Sequence, residues 1–152
     1  MIEAELSRRS FASMAGLGLL ALFGAPRAAH AKAAAVDAEL RRRFGGKAMA
    51  TGLVRLDLPP VAENGLMVAM TVEVESPMTP DDYVRSVHVF ADGNPSPDVL
   101  TWHFTPASGR AAATGRIRLA QTQNVIAVAE MSDGALHIAK AQVVVTVGGC
   151  GK

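Results

Sequence analysis

Between Leu66 and Glu75 the chain reads Leu-Met-Val-Ala-Met-Thr-Val-Glu-Val-Glu. Leu66, Val68, Met70, Val72 and Val74 therefore fall on one face of an extended strand, and Thr71, Glu73 and Glu75 on the other. Side chains switch faces at every residue of a strand, so a period of two describes a half-buried strand and is incompatible with a helix, whose period is 3.6. The same alternation recurs at Val84–Ala91, at Val99–Phe104 and at Arg116–Leu119. In Val99–Phe104, Leu100, Trp102 and Phe104 share one side, and Thr101 and His103 the other. Val125–Met131 and Leu136–Val147 are apolar nearly throughout, which predicts strands at the centre of the structure. Turn residues separate the runs at Asn64-Gly65, Asp92-Gly93, Ser108-Gly109 and Asp133-Gly134, the last predicting a hairpin. About seven strands at steps of roughly 8–12 residues predict an all-β, immunoglobulin-like β-sandwich. The chain shows no alternation of strands with helices, which removes the parallel-sheet folds. Proline-rich stretches at 59–60, 76–80 and 94–97 suit loops at the sandwich ends.

Before the strands come two other signals. Ser7-Arg-Arg-Ser-Phe-Ala-Ser13 holds a twin-arginine pair, Met14–Phe23 is apolar, and Ala29-His-Ala31 supplies small residues for cleavage. This order predicts an export signal over residues 1–31, cut after Ala31, whose apolar run falls short of the roughly 20 residues that span a bilayer. The expected location is the periplasm, reached by the twin-arginine pathway, with no membrane attachment after cleavage. Residues 32–147 then form one β-sandwich domain and 148–152 a C-terminal arm. Val36, Leu40 and Phe44, four apart, predict a short amphipathic helix ended by Gly45-Gly46. Loss of the leader takes Arg8, Arg9, Arg27, Glu3 and Glu5, leaving twelve cationic and twelve anionic side chains. A neutral balance argues against nucleic acid, which requires a basic face.

Sequence motifs for serine hydrolases, P-loop nucleotide binding and Cys-x-x-Cys redox chemistry are missing. His88, His103 and His137, with Met67, Met70, Met78 and Met131, allow a copper-binding sandwich, but the histidines lack the close spacing of ligands and read as packed or surface residues. Met70 and Met131 read as core. No cofactor or metal is expected. The tail differs. After Val143–Val147 come Gly148, Gly149, Cys150, Gly151 and Lys152, and Cys150 is the sole cysteine, so no internal disulfide can form. Glycine on both sides of the thiol predicts a flexible, bare arm whose five residues reach about 17 Å when extended. An unpaired exported thiol invites oxidation, so its retention argues for use. We read Cys150 as an attachment point delivered into the cleft of another protein, Gly148, Gly149 and Gly151 supplying freedom and small bulk. The alternative is an interaction domain that dimerises through an intermolecular disulfide at Cys150.

With the tail in view the chain resembles the SoxY family, the sulfur carriers of periplasmic thiosulfate oxidation. The resemblance runs through AENGLMVAMTVEVESPM (62–78), DDYVRSVHVFADGNPSP (81–97), FTPASG (104–109), TQNVIAVAEMSDG (122–134) and the terminal GGCG (148–151), and includes the twin-arginine leader. It implies a carrier that catalyses nothing alone and pairs with a SoxZ-like β-sandwich subunit in a heterodimer. In the family a haem enzyme joins thiosulfate oxidatively to the tail cysteine, here Cys150, giving an S-thiosulfonate. A manganese-dependent hydrolase then releases sulfate and leaves a cysteine persulfide, which a sulfane dehydrogenase oxidises in some systems. Family tails usually end in glycine after the cysteine, whereas this chain has Gly151-Lys152.

Overall fold

An alanine-rich segment, Arg27–Phe44, forms α1 in the computed structural model, which describes residues 27–148. Alanine loses no side-chain freedom in a helix, and Arg41, Arg42 and Arg43 in the last turn oppose the negative end of the helix dipole. The helix stops where predicted: Gly45 and Gly46 take φ of 64° and 74°, and the Gly45 N–H donates to the Arg41 carbonyl at 2.8 Å. It starts at Arg27, upstream of the expected Val36 and inside the segment assigned to the leader; the cut after Ala31 remains an expectation.

Among the described residues nine strands follow: β1 (Met49–Ala50), β2 (Val54–Asp57), β3 (Val61–Ala62), β4 (Val68–Val74), β5 (Val84–Ala91), β6 (Asp98–His103), β7 (Ala111–Ile117), β8 (Gln123–Met131) and β9 (Leu136–Val145). They build two facing sheets. The larger has the order β1-β9-β8-β5-β6, with β3 pairing the far end of β9; the smaller is β2-β4-β7. All pairings are antiparallel except the two that β1 and β3 make with β9. The result is the all-β sandwich that the alternation predicts. The β8–β9 hairpin turns at Asp133-Gly134, with Gly134 at φ 82° and the Asp133 carboxylate accepting from the Ala135 N–H.

Two apolar layers result. Met70, Val72, Val87, Val89, Ala127, Ala129 and Val143 fill the space between the sheets, with Met131 also buried there. On the outer face of the larger sheet, α1 lays Val36, Leu40 and Phe44 over Phe90, Ile126, Val128 and Leu136. β5 and β8 are thus covered on both faces, which explains why their sequences read as unbroken apolar runs.

Several expectations are corrected. Leu66 is half exposed rather than in the core, because Gly65 spends its N–H on the Val147 carbonyl and its C=O on the Leu119 N–H. The Asn64 side chain also accepts from the Leu66 N–H, so this turn keeps Leu66 and Met67 outside the ladder and β4 begins at Val68. Arg118-Leu119 lies past the end of β7, whose first five residues, Ala111–Gly115, carry too little apolar signal to be read as a strand. Trp102 accounts for the glycine among them. A Cβ on Gly115 would stand 3.1 Å from its Cζ2, so the indole of β6 takes the place of a β7 side chain.

Candidate functional site: the root of the C-terminal arm

β9 delivers the tail to one end of the sandwich, where two loops hold it. The Val144 N–H donates to the Pro60 carbonyl at 2.9 Å, and the Thr146 N–H to the Ala62 carbonyl at 3.0 Å. The Thr146 hydroxyl donates to the Glu63 carbonyl at 2.9 Å, and the Val147 carbonyl accepts from the Gly65 N–H at 2.8 Å. From the other side the Thr122 hydroxyl accepts from the Val145 N–H at 3.0 Å. The chain is therefore fastened on both flanks as far as Val147.

Gly148 lies against a backbone wall. A Cβ there would stand 2.2 Å from the Ala120 carbonyl oxygen, so no other residue fits without a shift of the main chain. That wall is itself braced. The Asn94 side-chain oxygen accepts from the Ala120 N–H and from the Gln123 amide, and its nitrogen donates to the Arg118 carbonyl. The Gln123 oxygen in turn accepts from the Gly93 N–H at 2.7 Å. Cys150, with Gly149, Gly151 and Lys152, lies outside the described residues. Gly148 is the member of the predicted arm that is described, and it sits at the root. Thr146, Thr122, Asn94 and Gln123 were not singled out from sequence. Their signal was present nonetheless, since Asn94, Thr122 and Gln123 stand inside the segments that carry the family resemblance.

Around this root the surface is apolar. Val61, Leu66, Met67, Val144 and Val147 are the large hydrophobic residues exposed among those described. Each lies within two residues of a hydrogen bond that fastens the tail, and Val61 and Val144 are register partners on the outer face of the larger sheet.

The histidines do not gather. His103 is exposed, His137 half-buried, and among the described residues no three His, Cys, Asp or Glu side chains form a metal-ligand group. His88 is buried and structural. Its Nδ1 lies 2.9 Å from the Arg43 guanidinium and 3.0 Å from the Thr101 hydroxyl, and its Nε2 2.9 Å from the Ser86 hydroxyl. Arginine only donates, so Nδ1 accepts and Nε2 carries the hydrogen. Burial, then the Arg43 charge, hold His88 below the ordinary histidine pKa. Arg43 also pairs with Asp98 at 2.7 Å and Glu39 at 3.2 Å, tying α1 to β6. The register His88–Val128–Ile138 sets this network six β9 residues from Val144, roughly 20 Å of strand.

Fold and site together define an all-β sandwich that grips its own tail at one end. Over residues 40–150 the chain matches the family described as sulfur oxidation protein SoxY. Among solved structures it is similar to the sulfur carrier protein SoxY from Chlorobium limicola f. thiosulfatophilum, with 27% identity over 76% of this chain and 99% of that one, and a TM-score of 0.62. Superoxide reductases from Ignicoccus hospitalis (17% identity, 68% of this chain and 91% of that one, TM-score 0.56) and Nanoarchaeum equitans (13% identity, 62% and 99%, TM-score 0.53) share the fold alone. No curated protein sequence matches. The chain belongs to the SoxY family. It is a sulfur carrier of sulfur oxidation, a carrier subunit and not a catalytic enzyme.

Proposed function

We propose that Cys150 is the point of sulfur attachment and that the sandwich presents it, as an S-thiosulfonate, to a series of enzymes. One observation carries this reading: the tail is fastened residue by residue as far as Val147, Gly148 lies against a backbone wall, and the sole cysteine of a SoxY-family chain follows two positions after it. A tail fastened so close to its cysteine keeps the thiol at a defined end of the body. Loading joins the thiol to thiosulfate through a new S–S bond, releasing one proton and two electrons to the haem of the loading enzyme. Hydrolysis of the terminal S–S bond by a manganese-dependent enzyme adds water, releases sulfate and leaves a cysteine persulfide, which a sulfane dehydrogenase oxidises in systems that have one. Covalent attachment keeps these reactive species from diffusing away between steps. The protein works in the periplasm as a heterodimer with a SoxZ-like subunit, and its twin-arginine leader suits export of a folded pair.

The test is intact mass after incubation of the heterodimer with thiosulfate, the haem enzyme and an electron acceptor. One thiosulfate is expected on the wild-type chain and none on Cys150→Ser. A loaded serine variant overturns the assignment, and a doubled mass that reductant removes, with no sulfur adduct, returns the disulfide dimer.

A further inference from the structure

Distance along the chain decides what the exposed hydrophobic residues at the arm root can meet. From Gly148 to Cys150 is two residues, about 7 Å of fully extended backbone. Gly148 cannot lengthen this tether by peeling away freely, because Thr146 and Val147 on its N-terminal side are bonded to Ala62, Glu63 and Gly65. An enzyme whose reacting atoms meet the sulfur inside a cleft must therefore bring the rim of that cleft against the body of the carrier. The part of the body it meets carries Val61, Leu66, Met67, Val144 and Val147, each exposed and within two residues of a hydrogen bond that fastens the tail.

Single exposed hydrophobic residues are ordinary on a folded protein, whereas their confinement to one place marks a surface that is covered in use. The turn chemistry makes the same point. Asn64 and Gly65 hold Leu66 and Met67 out of the β4 ladder, although their sequence would let Leu66 enter the core. Val61 and Val144 lie side by side on the sheet face that α1 covers elsewhere. Those residues remain outside both apolar cores.

We propose that these five residues form an apolar docking collar for the enzyme that loads Cys150, and that its occupant is the apolar rim of the cleft which admits the thiol. The proposal rests on the carrier reading above and deepens it. The collar raises the productive encounter rate, and the glycine-flanked cysteine completes the approach. Apolar contact suits a carrier that must be released after each step, because no specific charge pair has to be broken.

The experiment uses the reduced heterodimer and a triple variant, Leu66→Gln, Met67→Gln and Val144→Thr. These substitutions are neutral and leave the charge around the thiol unchanged. Loading is followed with the haem enzyme, thiosulfate and an electron acceptor at varied carrier concentration, beside alkylation of the thiol by iodoacetamide. The collar predicts kcat/KM for the carrier at least tenfold lower, kcat within about twofold, and an unchanged alkylation rate. A kcat/KM within twofold of wild type overturns the collar and leaves the carrier reading standing. Loss of the partner subunit from the variant on gel filtration, or loss of self-association with loading intact, assigns the patch to another interface and also overturns it. A wild-type chain that takes no thiosulfate removes both readings together.

Discussion

The outer face of the larger sheet has two ends that look alike in sequence and differ in what covers them. At one, Phe90, Ile126, Val128 and Leu136 lie beneath α1, and Arg43 reaches across to His88 and Asp98. At the other, roughly 20 Å along β9, Val61 and Val144 face outward beside Leu66, Met67 and Val147, with no segment of the described chain over them. The same residue types thus serve opposite ends. Under the helix they supply folding free energy. At the arm root they stay 43–65% exposed and contribute far less of it. Stability and function are separated along a single strand.

Phe90 separates the two ends most clearly. Truncating this fully buried ring in Phe90→Ala removes the centre of the helix–sheet layer and should cost about 3–5 kcal/mol in urea unfolding. The alkylation rate of Cys150 should not change below the unfolding transition, and a change would show that the two ends are coupled. Gly148→Ala acts at the opposite end. The new methyl meets the Ala120 carbonyl, so the root must shift, at about 1–3 kcal/mol of stability, and enzymatic loading should slow while reaction with small-molecule alkylators persists.

Arg43→Met sharpens the covered end further, with an expected loss of about 1–2 kcal/mol near pH 8. It also has a signature in pH. His88 titrates below the ordinary value in the folded protein, mainly through burial and then through Arg43, while Glu130 and Asp98 act in the opposite sense. The unfolded chain takes up its proton near pH 6.5 and the folded chain only lower, so below about pH 6.5 the unfolded state binds more protons. Stability is therefore retained above that pH and falls as pH drops through the window. Arg43→Met should shrink the fall without abolishing it, because burial remains; urea midpoints between about pH 8 and 5 measure it. The smallest effect belongs to the bare end: Leu66→Gln with Met67→Gln should leave unfolding free energy within about 0.5 kcal/mol of wild type. A larger loss would mean that these side chains pack in the free protein.

Much of this was legible in the sequence. The alternation in Leu66–Glu75, the Asp133-Gly134 turn and the Val36–Leu40–Phe44 spacing located a sandwich, a hairpin and a helix, because each is a local pattern with a local cause. What escaped depends on neighbours distant in the chain. β1 and β3 are two residues each and exist only through their parallel pairing with β9. Ala111–Gly115 became a strand because β4 supplies its ladder, and Gly115 leaves the room that the Trp102 indole fills. Leu66 left the core because Gly65 is bonded to Val147 and Leu119. At the site, Cys150 stood out as the sole cysteine, but the grip of Thr146 and the bracing by Asn94 and Gln123 could not be read from spacing.

Attachment of sulfur at Cys150 can be followed on protein taken from cells oxidising thiosulfate. Intact mass and mapping of the C-terminal peptide, under non-reducing conditions, should find thiosulfonate or persulfide sulfur on Cys150 and on no other residue. A C-terminal peptide recovered only as the bare thiol, from cells in which thiosulfate oxidation is under way, would exclude Cys150 as the point of attachment.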